Sequence, residues 1–259
     1  MQVVVNPRCH ELFGRPIRAK KMHSRIIASL IDLLVFQIAR ANRKSIPQLD
    51  RLNIGSAYNV ARGWANVDNS PSVWLSKHNT ICRLLQKVGL INKSTQQRWQ
   101  RELIFHDVRH GLPWDDQSVR YIYTSHLLEH LSPQSGERLL HECYRVLKSG
   151  GVIRVVVPDL MLYAQRYVQA IADMDPEFRD LTSFSATEEF LEMVGVHYGS
   201  GSARSPHRWM YDASSLATCL TKAGFVKIAR KAYREGRVPD LTILDTRPND
   251  SLHMEAERP

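Results

Sequence analysis

The stretch from Leu103 to Leu160 constrains the fold more than any other part of the chain. Two short apolar runs, Leu103-Ile104-Phe105 and Val119 to Thr124, stop at polar positions, Asp107 in the first case and Ser125-His126 in the second. Next comes a segment with Leu139, Leu140, Cys143, Val146 and Leu147 at helical spacing, opened by Ser132-Pro133 and closed by Lys148-Ser149-Gly150-Gly151. A hydroxyl residue before Pro and a glycine after the last periodic residue are start and stop signals for a helix. Val152 to Val157 is then an almost unbroken β-branched run, the pattern of a strand covered on both faces, ending at Pro158-Asp159. Strand, helix, glycine and strand make a βαβ unit, which implies a parallel sheet. In such sheets ligands bind beyond the carboxyl ends of the strands, where Asp107, Ser125, His126 and Asp159 should collect.

Leu49 to Asp68 supplies two further strands, Leu52-Asn53-Ile54 ending at Gly55 and Trp64-Ala65-Asn66-Val67 ending at Asp68. Gly55 lets a ligand approach the backbone where a Cβ would collide with it. Asp68 is placed to accept hydrogen bonds from ribose hydroxyls, as the acidic residue does in dinucleotide folds. No GxGxxG is present, and the interval is too short for a full crossover helix. A turn glycine and a turn aspartate without a ligand are the alternative.

Taken together, LNIGSAYNVARGWANVDNSP, HDVRHGLPWDDQSVRYIYTSHLLEHL and YRVLKSGGVIRVVVPDL resemble the successive motifs of class I S-adenosylmethionine-dependent methyltransferases. Within that fold they are similar to a methyltransferase-11-like group often associated with bacterial surface-polysaccharide biosynthesis. The resemblance extends through SPHRWMYDASSLATCLTKAGF and PDLTILDTRPNDSLHMEAE, about residues 50–257. It implies an α/β fold: a doubly wound, mostly parallel seven-stranded sheet, Rossmann-like, with an antiparallel C-terminal hairpin. The domain is expected over 49–257, with insertions at about 71–102 and 160–211. The hairpin is expected from Leu241 to Leu244 and Leu252 to Ala256.

Residue by residue, the resemblance implies Gly55, Ser56 and Ala57 against the methionine part of S-adenosylmethionine and Asp68 on its ribose. Asp107 and Val108 fall at the adenine, and Ser125 with His126 under the sulfonium. Where the family usually has Gly-Cys-Gly, this chain has Gly55-Ser56-Ala57, so a methyl group stands where close backbone approach is expected.

Sulfonium is a good leaving group, so the protein's part is to align the acceptor and exclude water. An amine acceptor needs no strong base, whereas a hydroxyl does, and histidine can remove its proton near neutrality. His126 is therefore the first candidate base and His130 the second; the alternative is that His130 packs and His126 only shapes the pocket. The His126-x-x-Glu129-His130 spacing also resembles the ExxEH stretch that binds a divalent ion in some methyltransferases, including those acting on small-RNA ends. A Glu-His pair is frequent in the fold without metal, and no metal is assigned. Beyond two helices, about Leu160 to Met174 and Pro176 to Val194, the run His197 to Tyr211 reads as a lid, with His207, Arg208, Trp209 and Tyr211 on the acceptor. The alternative is that Trp209 and Tyr211 pack under the following helix.

Residues 1–48 read as a basic arm followed by an amphipathic helix. Through Arg51 they hold ten basic side chains against Glu11, Asp32 and Asp50, net +7 of the chain's +9. Such a patch suits an anionic partner, a nucleic acid or an acidic membrane surface, or is a solvated face. The helix, IIASLIDLLVFQIA, has fourteen residues including Asp32 and falls short of the ~20 needed to span a bilayer. It either packs on the sheet or lies in a membrane interface. The four cysteines, Cys9, Cys82, Cys143 and Cys219, form no CxxC pair. They read as reduced packing residues, which argues against a disulfide scaffold and a zinc ribbon.

These readings combine into a methyltransferase acting on a small acceptor, a saccharide or related hydroxyl. It would be cytoplasmic, with a peripheral place at the inner membrane face as an option. The competing readings are an RNA methyltransferase, favoured by the basic arm, and a binding protein that kept the fold and lost catalysis, favoured by Ala57. The acceptor atom and the oligomeric state are not readable from the sequence.

Overall fold

A computed structural model of the chain describes residues 47–57, 59–70, 73–75, 78–89, 103–172, 190–191 and 207–259. The chain divides into two units, Met1–Asn42 and Arg43–Pro259, and the described residues belong to the second. The basic arm and its amphipathic helix, the helix expected from Pro176, and the glycine-serine part of the expected lid lie outside the described residues, apart from 47–48 and 190–191.

Seven strands form one sheet in the order β3-β2-β1-β4-β5-β7-β6. They are β1 Arg51–Ile54, β2 Ala65–Asp68, β3 Ile104–Phe105, β4 Val119–Ser125, β5 Leu147–Pro158, β6 Val226–Lys231 and β7 Ser251–Glu257. The first five run parallel, and β7 is antiparallel to both β5 and β6. From β1 the chain moves outward through β2 to β3, then returns to the other side of β1 with β4. That reversal makes the carboxyl ends of β1 and β4 the topological switch point, the place where doubly wound sheets form a crevice and bind ligands.

The helix α2, Pro133–Val146, forms where the spacing predicts it. Ser132 Oγ accepts from the Ser135 amide at 3.3 Å, Pro133 occupies the first turn, and the buried face carries Leu139, Leu140, Cys143 and Val146. It ends one residue early, since Leu147 is already extended and opens β5. Leu139, Leu140 and Val146 bury against one face of the sheet with Leu52, Ile54, Ile122, Ile153 and Val155, and with Leu216 and Leu220 of α4, Ala213–Lys222. Each such aliphatic side chain contributes roughly 1.5–3 kcal/mol on leaving water. The other face carries Tyr123, Val152 and Val156, covered by Ala61, Trp64, Val238, Leu241 and Leu244.

Within the insertion expected at about 71–102, residues 73–75 are helical and α1 spans Asn79–Lys87, with the Trp74 ring centroid 4.3 Å from that of His78. Leu241–Leu244 is a single helical turn, α5, and not a strand: Leu241 and Leu244 are three residues apart, and both face the core. The antiparallel hairpin is instead β6 with β7. As expected from the sequence, a helix begins at Leu160: α3, Leu160–Ala172, follows β5 directly. Among the described residues no helix is long and apolar enough to cross a membrane.

Arg154 sits in the middle of β5 and is fully buried. Its five N–H donors all find acceptors: Asp245 at 3.2 and 2.6 Å, Glu255 at 3.3 Å, and the carbonyls of Glu235 and Ala232 at 2.9 and 3.0 Å. A guanidinium in a core is tolerable only when satisfied in this way. The cluster ties the segment before β7 to the sheet.

Candidate active site

The register of the parallel strands sets their carboxyl ends level. Asp68 pairs with Phe105, Ile54 with Val67 and Thr124, and Ser125 with Val156. Gly55, Asp68, Asp107, Ser125 and His126 follow these ends and so share one edge of the sheet. Asp159 shares the edge but faces away: its carboxylate accepts from Arg230 at 2.9 Å and from the Met161 amide at 3.2 Å.

At the tip of β1, Gly55 has φ +71°, and its amide and that of Ser56 both donate to the Val67 carbonyl, at 2.8 and 3.0 Å. A Cβ on Gly55 would stand 3.0 Å from Leu127 Cβ, so glycine is required here by a neighbouring side chain as well as by backbone conformation. The sequence reading had named only an approaching ligand. Ser56 is buried, and its Oγ has no hydrogen-bond partner among the described residues. Ala57 adopts φ +46°, a conformation that ordinarily belongs to glycine. Its amide donates to Asp68 Oδ2 at 3.0 Å, while Asp68 Oδ1 accepts from the Ser70 amide at 2.7 Å. Asp68 therefore fastens the turn after β1 to the tip of β2, with carboxylate lone pairs remaining for a ligand hydroxyl. Trp64 does not reach this edge. It is buried on the opposite face of the sheet, and its indole N–H donates to Asp240.

After β3, Asp107 caps a short 3-10 turn, Val108–His110, by accepting from the Arg109 amide at 3.0 Å. The Arg109 guanidinium reaches back to the same carboxylate, Nε at 2.9 and 3.0 Å and Nη2 at 2.5 Å. Burial opposes the charge on Asp107, but the Arg109 side-chain and backbone hydrogen bonds outweigh it and hold the carboxyl below its ordinary value. A nucleobase amino group at Asp107 must share this carboxylate with Arg109. Val108 is buried beside it.

Beyond β4 the side chains converge. His126 has φ +51° and its amide donates to the Val156 carbonyl at 2.9 Å. Its Nδ1 lies 3.1 Å from Oε1 of Glu129, which is fully buried on the 3-10 turn Leu128–His130. Its Nε2 lies 2.9 Å from Ser251 Oγ, and that hydroxyl donates to Asp250 Oδ1 at 2.8 Å. The imidazole thus bridges a buried carboxylate and a hydroxyl brought in by the first residue of β7. Sequence reading placed His126 but missed Ser251 and Asp250, which lie more than a hundred residues away and carry no motif.

His130 stands with its ring centroid 5.0 Å from that of His207, and both imidazoles approach Glu129. The amides of Arg208 and Trp209 donate to the Glu129 carbonyl at 2.7 and 3.2 Å, which docks this segment on the 3-10 turn. Trp209 is 47% exposed and free to meet a ligand. Tyr211 is not: at 2% exposed it belongs to the main core, and its hydroxyl lies against Gly136 of α2. Of the two readings of Tyr211, contact with an acceptor or packing under the following helix, its burial matches the packing; its backbone bridges to Asp159.

The methyltransferase-11 family, described as a methyltransferase domain, matches residues 81–155, a span that runs from within α1 into β5 and leaves out Gly55 to Asp68. A probable S-adenosylmethionine-dependent methyltransferase of Mycolicibacterium smegmatis is 31% identical over 108 residues, 38% of this chain and 40% of its own length. The chain thus spans well under half of that relative. Among solved structures, an S-adenosylmethionine-dependent methyltransferase from Archaeoglobus fulgidus is 16% identical, with 86% of this chain and 94% of that one covered and a TM-score of 0.41. A Thermotoga maritima S-adenosylmethionine-dependent methyltransferase is 14% identical, covering 93% and 97%, also with a TM-score of 0.41. Strand order, and not these distant likenesses, defines the architecture. Over residues 81–155 the chain matches a methyltransferase domain, and the seven-stranded sheet that holds it has the Rossmann-like fold of class I S-adenosylmethionine-dependent methyltransferases.

Proposed function

We propose that the chain binds S-adenosylmethionine at the crevice between β1 and β4 and transfers its methyl group to a hydroxyl of a small acceptor, of the saccharide class. The observation that carries this reading is His126, held at the strand tip between buried Glu129 and Ser251. An amine acceptor has no need of an imidazole oriented in this way, whereas a hydroxyl does.

The residues at the crevice fit the cofactor. The orphaned, buried Ser56 Oγ offers a hydrogen bond to its amino-acid part, and Asp68 keeps lone pairs for the ribose. When bound, S-adenosylmethionine supplies an electrophilic methyl on a sulfonium that departs as a neutral thioether. The protein's own part is proton handling and alignment. In the free protein Ser251 Oγ accepts from Nε2–H while giving its own hydrogen to Asp250; with an acceptor hydroxyl in its place, His126 carries its proton on Nδ1 toward Glu129 and takes the acceptor's proton on Nε2. Arg208 and the exposed Trp209, on the segment docked to Glu129, grip the acceptor from the other side.

Ala57 and His126, two of six non-glycine residues with left-handed backbone among the described residues, follow the carboxyl ends of the adjacent strands β1 and β4. Conformations of this kind cost of order 1–3 kcal/mol and gather at functional sites. The test is incubation of the protein with methyl-labelled cofactor and separate panels of soluble saccharides, lipid-linked saccharides and RNA. Label in a saccharide fraction supports the proposal, label in RNA alone replaces it with the nucleic-acid reading, and tight cofactor binding with no transfer to any panel favours a binding protein.

A further inference from the structure

We propose that Glu129, His130 and His207 form a binding site for one divalent transition-metal ion of the zinc class. The inference goes beyond methyl transfer and stands or falls separately from it.

The first observation is geometric. One ligand atom from each of the three side chains lies within 4.8 Å of the other two. Bonds of ~2.1 Å to a tetrahedral ion set ligand atoms about 3.4 Å apart, so small side-chain rotations close the site. The backbone for this is already assembled, because the Arg208 and Trp209 amides hold the segment after His207 on the Glu129 carbonyl. His207 comes from a different part of the chain, and nothing in the 126–130 spacing points to it.

The second observation is electrostatic. Glu129 is fully buried, its Oε2 receives no hydrogen bond among the described residues, and His126 Nδ1 stands 3.1 Å from Oε1. Burying a carboxylate costs several kcal/mol unless a cation or a set of donors compensates it. Two imidazoles and a carboxylate are a donor set that zinc, cobalt and manganese accept, and softer or purely oxygen-loving ions do not prefer. An ion there would neutralise Glu129, pin the 207–209 segment beside His126, and keep a fourth position for water or an acceptor oxygen.

The test uses the full chain, stripped with a chelator and titrated with Co2+ while visible absorption is followed, then with Zn2+ in competition. One Co2+ per chain is expected, displaced by Zn2+. His130→Ala, His207→Ala and Glu129→Gln should each weaken binding by at least about tenfold. His141→Ala, on the exposed side of α2, should leave it unchanged. Because Glu129 is buried and its variant can misfold, the wild type provides a second readout: Co2+ should shift the imidazole proton resonances of His130 and His207 and spare those of His141. No saturable uptake by the wild type, or uptake unaltered in the His130→Ala, His207→Ala double variant, overturns the site. A thermal shift with S-adenosylhomocysteine in the same samples reports the cofactor crevice independently.

Discussion

The Ala57 amide donates to Asp68 Oδ2 across 3.0 Å from a backbone conformation, φ +46°, that alanine adopts only under strain. Left-handed backbone costs an L-residue about 1–2 kcal/mol, and glycine gives back part of this through its freer unfolded chain. Ala57→Gly should therefore stabilise the protein by about 0.5–1 kcal/mol, seen as a rise of roughly 1–4 °C in thermal midpoint. It should also tighten S-adenosylhomocysteine binding. A fall in midpoint would show that the methyl group is packed and not merely tolerated.

His126 makes a second prediction. Asparagine tolerates positive φ, so His126→Asn keeps the backbone of the β4 tip while removing the imidazole. Transfer to a hydroxyl acceptor should fall by about 10²–10⁴, with cofactor affinity little changed. Glu129→Gln should fall in the same direction by a smaller factor, since it orients the base without receiving the proton. Turnover with labelled cofactor at saturating acceptor separates the two effects.

Arg154 bears on stability alone. Replacing it by Ala strands Asp245 and Glu255 in the core, both nearly inaccessible to water. Breaking a buried ion pair from one side costs about 3–5 kcal/mol, which urea unfolding will register as a large drop in midpoint. Simultaneous replacement of Arg154, Asp245 and Glu255 by apolar residues should recover most of the loss.

Acid sensitivity follows from Asp107. Its carboxyl is held below the ordinary aspartate value of 3.8, so its contribution is complete above that value and disappears as pH falls through the lower folded value. Wild-type stability should decline below about pH 4, and Asp107→Asn should lower stability at pH 7 while flattening that decline. Urea midpoints at pH 7, 4 and 3 for both proteins decide it.

What the sequence made legible is what local physics governs. The β-branched run of β5 and the Ser132-Pro133 start of α2 follow from propensity and capping. So does the start of α4, where Asp212 Oδ1 accepts from the Ser215 amide at 2.7 Å and Ser215 Oγ accepts in return from the Asp212 amide at 3.0 Å. Leu241 to Leu244 was misread because four apolar-flanked residues suit either a strand or one helical turn, and only the core position of Leu241 and Leu244 decides between them. For Tyr211 the residue type suits contact with a ligand and packing alike; its burial in the main core beside α4 depends on tertiary neighbours that no local pattern encodes. Ser251 beside His126, Leu127 beside Gly55 and His207 beside Glu129 are long-range or cross-element meetings of the same kind.

The central claim is that the crevice between β1 and β4 holds S-adenosylmethionine. Calorimetric titration of the full chain with S-adenosylhomocysteine, repeated on Asp68→Asn, tests it most directly. Saturable one-to-one binding in the low-micromolar range or tighter, weakened at least about tenfold by the loss of one charged hydrogen-bond acceptor, is the predicted result. Absence of heat at millimolar ligand, or equal affinity in the variant, would contradict it.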